Sequence, residues 1–219
     1  MDIESFSLCL SYMELIKPKS NHIDKIIPVA GTLLGTFFGY ALNQFTSNRK
    51  ESKAVKNKLL CCDEDIQRLK HALDKLICES IRIMGEINRH RRPTSHQLPA
   101  KLSAFYLSEH FIELAHKFST NQRYWVHLLI ENLDEMNSHL DMIINEKSHD
   151  LFILSAELVS TVGLAGTMHA LCQSFQDDKK QFKNTPEEQL EALGLNPEEI
   201  AIFTSLSENA EENNRTLKL

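Results

Sequence analysis

The sequence contains few of the residues that make turns, with 7 glycines and 6 prolines among 219 residues. Because β-sheet folds need frequent tight turns, this scarcity disfavours an all-β protein. The sequence also lacks a Walker loop and the patterns GxGxxG, GxSxG and HExxH, which mark nucleotide binding, serine hydrolysis and zinc proteolysis. We therefore expect no cofactor, and we assign no residue to a metal site.

The cysteines follow neither a disulfide framework nor a metal-binding spacing. The adjacent pair Cys61 and Cys62 cannot provide the CxxC spacing of a zinc site. An odd number of cysteines without a framework is typical of a reducing compartment. We therefore predict reduced thiols at all five positions, Cys9, Cys61, Cys62, Cys78 and Cys172.

A long stretch without charge lies near the N-terminus. The 23 residues from Ile26 to Asn48 carry no charge, and the apolar part, Ile26 to Phe45, has 20 residues. As a helix this part is about 30 Å long, which is the thickness of the hydrocarbon core of a bilayer. We call residues 26–45 the apolar segment, and we predict a transmembrane helix over residues 24–48. The alternative is a buried core helix in a soluble, helical, partner-binding protein.

Three glycines recur at every fourth position of the apolar segment: Gly31, Gly35 and Gly39. In lipid, small residues at this spacing let two helix backbones approach closely and gain packing contacts. The stripe therefore predicts a self-association face and a homo-oligomer.

Charge is distributed unevenly along the chain. The net charge is -6, but residues 49–92 carry an excess of 5 positive charges and residues 93–219 an excess of 10 negative charges. Positive residues flank membrane helices on the cytoplasmic side, and Arg49, Lys50 and Lys53 directly follow the apolar segment. We therefore predict a single-pass protein whose large C-terminal part is cytoplasmic. The amphipathic residues 1–23 are predicted to lie at the membrane interface, with a short packing helix as the alternative.

The rest of the chain shows helical periodicity. Apolar residues from Val55 to Leu76 alternate in steps of three and four, which predicts a helix reaching about residue 90 and continuous with the membrane helix. Further helices are expected over 99–118, 121–146 and 149–182, and two short ones start at Pro186 and Pro197. These patterns predict an all-α protein, with a four-helix-type cytoplasmic bundle over 49–183 and an acidic tail over 184–219 that frays after Ser207.

A basic loop follows the first long helix. Residues 89–96 read RHRRPTSH, and Arg91 and His96 form the pattern RxxxxH. Here the sequence resembles HEPN domains, which are small helical bundles, many of them metal-independent ribonucleases with an Arg and a His at such a spacing. The resemblance implies that Arg91 and His96 form a catalytic pair. Residue types alone indicate a solvated basic loop that contacts nucleic acid such as RNA, lipid headgroups or an acidic group of a protein partner.

The predicted architecture has its own resemblance. A membrane helix followed by a HEPN-like bundle is similar to membrane-anchored accessory proteins of RNA-targeting CRISPR systems and related bacterial antiviral effectors. That similarity implies an oligomer in the bacterial inner membrane that acts as a scaffold, a sensor or a pore during infection. The alternatives are a membrane-tethered ribonuclease that uses Arg91 and His96, and a soluble partner-binding protein.

Two weaker patterns have ordinary explanations. Two ExxH pairs on a helical bundle are typical of di-iron sites, but surface residues explain them as well. Trp125 beside Arg123 and Tyr124 is a possible stacking platform for a base, although a packing role explains it better. The two ExxH pairs are Glu113 with His116 and Glu146 with His149.

Overall fold

The computed structural model describes residues 7, 11, 23–91, 93, 95–145, 150–178 and 185–216. Within helices it leaves the side chains of residues 23–30, 187 and 213–216 undescribed. The interfacial segment predicted over residues 1–23 therefore lies almost entirely outside the described residues. Every element in the described part is helical, with no strand, so the all-α fold class is confirmed.

Helix α1 runs without interruption for 66 residues, Ile23–Asn88. The chain divides into two compact units, Met1–Lys56 and Asn57–Leu219. In the second unit the predicted seam is buried in the core through Cys62, Ile66, Leu69, Leu73 and Leu76. These seam positions are therefore occupied by the chain's own core, which leaves Val55 and Leu59 as its partly exposed members.

Five more α-helices follow α1 among the described residues of the second unit. Of the two longest, one lies within a residue of its predicted range 121–146, and the other ends at Gln176 instead of residue 182. The second helix and the tail also differ from prediction. A short 3-10 turn, Ala115–Lys117, directly follows α2. The helices are α2 Phe105–Leu114, α3 Thr120–Asn145, α4 Leu151–Gln176, α5 Pro186–Ala192 and α6 Pro197–Thr216.

The prediction that the second helix begins at residue 99 was wrong. Residues 98–104 are non-helical, and Leu98, Leu102 and Ala104 are buried in this stretch. The amide of Asn137 on α3 pairs with both backbone groups of Leu102: Leu102 N–H donates to Asn137 Oδ1 at 2.7 Å, and Asn137 Nδ2 donates to the Leu102 carbonyl at 3.0 Å. This long-range pairing replaces the hydrogen bonds that a helix would provide.

The tail is also more ordered than predicted. Helix α6 is 20 residues long and continues to Thr216, instead of fraying after Ser207. Its start is capped reciprocally, since Asn196 N–H donates to Glu199 Oε2 and Glu199 N–H donates to Asn196 Oδ1, both at 2.9 Å. Phe203 is buried in the core. The cap and this anchor stabilise the helix beyond its local propensity.

Helix α4 is central to the second unit. It contacts α3, α5 and α6. Towards α1, His169 lies 3.2 Å from Asp74, and Lys70 donates to Gln173. A helix covered from several directions is apolar on most of its surface, which explains why α4 shows little division into polar and apolar faces.

A carboxylate of α1 caps helix α2. The position before α2 is Ala104, whose side chain cannot accept a hydrogen bond. Instead the buried Asp65 accepts from the backbone N–H of Tyr106 at 2.6 Å and of Leu107 at 3.1 Å, and it also bonds Arg68. Asp65 therefore satisfies amides at the start of α2 that have no partner within the helix.

Two glycines of α4 have different surroundings and allow a matched test. A Cβ added at Gly166 would lie 2.9 Å from Gln189 Oε1 on α5, whereas one added at Gly163 would meet nothing within 4 Å. We expect Gly163→Ala to raise the free energy of unfolding by about 1 kcal/mol through helix propensity. Gly166→Leu should lower it by roughly 1–3 kcal/mol, because the larger side chain displaces α5. Urea unfolding followed by circular dichroism measures both, and equal gains would contradict the close packing at Gly166.

Candidate functional sites: the apolar segment and the basic loop

The described part of the apolar segment exposes its large side chains. Every residue from Gly31 to Lys50 is exposed, with Phe37 at 66% and Tyr40 at 70%. At 3.6 residues per turn, the large side chains cover an arc of about 200° around the helix. Surfaces of this kind are rare on soluble monomers. The large side chains are Leu33, Leu34, Phe37, Phe38, Tyr40, Leu42 and Phe45.

The remaining arc of the helix carries small and polar residues. Gly35 and Gly39 lie there together with Thr32 and Thr36, as the same 3.6-residue periodicity requires. A Cβ added at Gly31 or Gly39 would meet no atom within 4 Å, so both positions are open. The segment therefore has one bulky apolar side and one narrow side on which another backbone can approach closely.

The polar groups of this helix are satisfied locally. The hydroxyl of Thr36 donates to the carbonyls of Thr32 and Leu33, each at 2.9 Å. At the end of the segment the Arg49 guanidinium lies 4.3 Å from the centre of the Phe45 ring. Hydroxyls bonded to their own backbone are compatible with lipid, and a cation stacked on an aromatic ring is compatible with the headgroup region.

Within the described part of the chain, one helix is long and apolar enough to cross a membrane. That helix is α4, with a mean hydropathy of 1.6 over its most apolar stretch, 39% of which is buried. Length and composition alone define this property, and a core helix shares it. The apolar segment begins in residues 23–30, whose side chains are not described, so its span stays a prediction.

The basic loop folds back along the last turns of α1. His90 has a left-handed backbone (φ 54°), and Arg91 N–H donates to the Glu86 carbonyl at 2.9 Å, which ends the helix. Arg82 donates to the Ser95 carbonyl at 2.9 Å, and Gln97 N–H donates to Glu79 Oε1 at 2.7 Å. Two side chains of α1 thus hold the backbone on the far side of the loop.

The structure places Arg91 and His96 in this loop, as predicted, and both are exposed. Arg92 and Thr94 lie outside the described residues. Among the neighbours that are described, no contact joins Arg91 to His96. Their catalytic pairing therefore stays a prediction.

The residues that hold the loop were not found from the sequence. Arg82 bonds Glu79 at 2.8 and 2.9 Å and also pairs with Glu86. The sequence did contain one signal for these contacts. Glu79 lies three residues before Arg82 and Glu86 lies four residues after it, and side chains at these spacings meet on one face of a helix. The face of α1 that holds the loop therefore carries two acids, Glu79 and Glu86, around one arginine.

Glu79 makes attachment of the loop dependent on pH. Its bonds to Arg82, foremost, and the N–H of Gln97 hold the pKa of Glu79 below its ordinary value, against an opposing effect of burial. A lowered pKa in the folded state stabilises the attachment above the ordinary pKa, and the effect is lost as pH falls through the lowered value. We expect hydrogen exchange of the Gln97 amide to accelerate in that acidic range.

A substitution on the same helix supplies the matched comparison. Glu79→Gln should raise Gln97 exchange already at neutral pH and remove the acid dependence, since glutamine is never ionised. Glu64→Gln changes an exposed acid of α1 and should leave exchange unaltered. Unchanged Gln97 protection in Glu79→Gln at neutral pH would show that Glu79 does not hold the loop.

The described residues of the two weaker patterns make contacts of other kinds. Glu113 pairs with Lys58 at 2.6 Å, and His116 Nδ1 lies 3.1 Å from the Glu113 carbonyl. Glu146 and His149 lie outside the described residues. Among the described residues, no group of three or more His, Cys, Asp or Glu side chains could hold a metal ion. Trp125 is 5% exposed and packs against Tyr124, which agrees with the packing role and not with an open stacking platform.

Four cysteines are described, and all four are free thiols. Burial raises the pKa of Cys62 to about 11 and that of Cys172 to about 12. Because the thiolate is the reactive form, these two side chains act as small apolar core residues.

Comparison with protein-family models, with curated proteins and with solved structures finds no match to this chain. The roles implied by the resemblance to HEPN domains and to membrane-anchored antiviral effectors therefore stay predictions.

Proposed function

We propose that this chain is a single-pass membrane protein that self-associates through its apolar segment and carries a helical bundle in the cytoplasm. One observation carries the proposal: a regular helix exposes large apolar side chains over about 200° of its surface. In water such a surface is costly, at about 25 cal/mol per Å² of apolar area. A bilayer removes that cost.

The described core supports this reading over that of a soluble core helix. The second unit buries its own apolar residues from α1, α3 and α4, and every residue from Gly31 to Lys50 in the first unit is exposed. Large apolar side chains in such an exposed run favour contact with lipid over the position of a core helix.

Self-association follows from the narrow side of the helix. Gly35 and Gly39 are exposed there, a Cβ added at Gly39 would meet no atom within 4 Å, and the Thr36 hydroxyl bonds the backbone of its own helix. Small residues in register favour close packing of membrane helices. The predicted positive flank, Arg49, Lys50 and Lys53, supports a cytoplasmic position for the bundle.

The biological role in this proposal rests on the resemblance. The oligomer is a scaffold, sensor or pore-forming effector in the inner membrane of a bacterium, acting in antiviral defence. The exposed basic loop at residues 89–96 is its contact for RNA or a protein partner. No described geometry favours catalysis over binding at that loop.

Assembly is tested by adding bulk to the narrow side. Gly35→Leu with Gly39→Leu should lower the mass of the oligomer in detergent, because the leucines hold the membrane-helix backbones apart. The helix itself should persist, since leucine favours a helix interior over glycine by about 1 kcal/mol per residue in water. Mass measured by light scattering gives the result.

The control adds a leucine to the bulky side instead. Ala41→Leu lies among the large apolar side chains and should leave the oligomer intact. If Ala41→Leu and the glycine pair behave alike, bulk as such is responsible, and the stripe has no specific role.

A further inference from the structure

An open groove lies on the surface of the second unit. It has a volume of about 560 Å³, and helices α5 and α6 and the turn between them form its wall. Its apolar lining comes from Leu195, Pro197, Ile200 and Ala201, with Thr204 and Ser205 beside them. A groove of this kind fits one apolar face of a helix.

Two carboxylates give the groove a charge. Glu191 on α5 and Glu208 on α6 line it, and neither forms an ion pair with the described residues. Along α6 the lining extends from Pro197 to Glu208, which is about 16 Å at 1.5 Å per residue. The groove therefore selects a short helix that combines cations with an apolar side chain.

A stretch of α1 has these properties. Lys53, Lys56 and Leu60 lie within about 60° of one another on the helix surface, given 3.6 residues per turn. All three are exposed, Leu60 at 52%, and neither lysine pairs with a described acid. The nearby Lys58, in contrast, is already paired with Glu113.

We propose that the groove between α5 and α6 binds the basic stretch of α1 from a second copy of this chain, with Lys53 and Lys56 facing Glu191 and Glu208 and with Leu60 on the apolar lining. The charges are complementary, and the length of the basic face, about 10 Å, fits within the groove. A second copy is the partner that self-association of the chain already supplies. The contact joins two different surfaces, so it extends an assembly beyond a symmetric pair.

Charge-reversal substitutions in the intact, detergent-solubilised chain test the proposal. Glu191→Lys with Glu208→Lys should raise the protein concentration at which the largest assembly forms by about tenfold or more, and so should Lys53→Glu with Lys56→Glu. Combining all four substitutions should restore assembly, because the charges are complementary again. Light scattering across a range of protein concentrations measures each mass.

Two comparisons make the result specific. Glu109→Lys with Asp134→Lys changes the net charge equally at exposed sites outside the groove and should leave assembly unaltered. Glu191→Gln with Glu208→Gln removes the charges with less perturbation and should give a smaller loss in the same direction. The proposal would be overturned if the groove variants assembled as well as the Glu109 and Asp134 control. It would also be overturned if the variant with all four substitutions assembled no better than the variants with one pair.

The glycine stripe and the groove are separable. In a chain with Gly35→Leu and Gly39→Leu, the groove contact should still give concentration-dependent association that is sensitive to Glu208→Lys. Association that is lost entirely with the glycines would also overturn the groove proposal.

Discussion

Replacing Leu34 and Phe38 with arginine is expected to move the chain from the membrane fraction to the soluble fraction. Both side chains are exposed on the bulky side of α1, near the middle of the apolar segment. An arginine at the centre of a membrane helix opposes insertion by about 2.5–3.5 kcal/mol, so two of them oppose it by roughly twice that amount. The measurement is quantitative blotting after membranes are pelleted.

The control places the same charges outside the segment. Ser47→Arg with Ser52→Arg changes two exposed residues of the same helix and should leave the chain with the membranes. The bundle should fold in both variants, because its core lies in residues 62–203. A chain that stays in the membrane with arginine at positions 34 and 38 would locate the anchor elsewhere.

Removing the carboxylate of Asp65 is expected to have the largest effect on the stability of the bundle. Asp65 is 1% exposed, and it accepts from the N–H groups of Tyr106 and Leu107 and pairs with Arg68. Asp65→Ala leaves the buried Leu107 amide without its partner, and an unsatisfied buried donor costs about 1–3 kcal/mol. Chemical unfolding gives the change in free energy.

Two variants separate the cap from general effects. Asp65→Asn keeps one acceptor oxygen and should lose less stability than Asp65→Ala. Asp63→Ala removes a more exposed carboxylate that bonds Gln67 at 2.9 Å, and it should cost less than about 0.5 kcal/mol. Hydrogen exchange at Leu107 should increase in Asp65→Ala alone. An unchanged exchange rate there would contradict the capping role.

Features with a local cause were predictable from the sequence. The periodicity from Val55 to Leu76 predicts the face of α1 that becomes buried from Cys62 onwards. Thr185 and Gly194 mark the start and end of α5, through a reciprocal cap and a left-handed residue at φ 81°. These signals depend on neighbouring residues only, so the sequence contains them directly.

Features with a distant cause were not predictable. Helix α2 begins at Phe105 because Asn137 bonds both backbone groups of the non-helical Leu102 and Asp65 caps the helix from 41 residues away. The basic loop is held by Arg82 and Glu79, which lie 13 and 18 residues before the residues that they bond, Ser95 and Gln97. Neither pairing leaves a pattern in a single sequence, since each depends on how the helices pack.

The central claim, that residues 26–45 span a bilayer, is tested most directly by washing membranes that contain the intact chain with alkaline carbonate. The wash releases proteins held at the surface by charge or by partner contacts, whereas a spanning helix with a core of about 30 Å is retained by the hydrophobic effect. We predict that essentially all of the chain stays in the pellet and that a detergent such as dodecyl maltoside releases it. Recovery of the chain in the carbonate supernatant would contradict the claim.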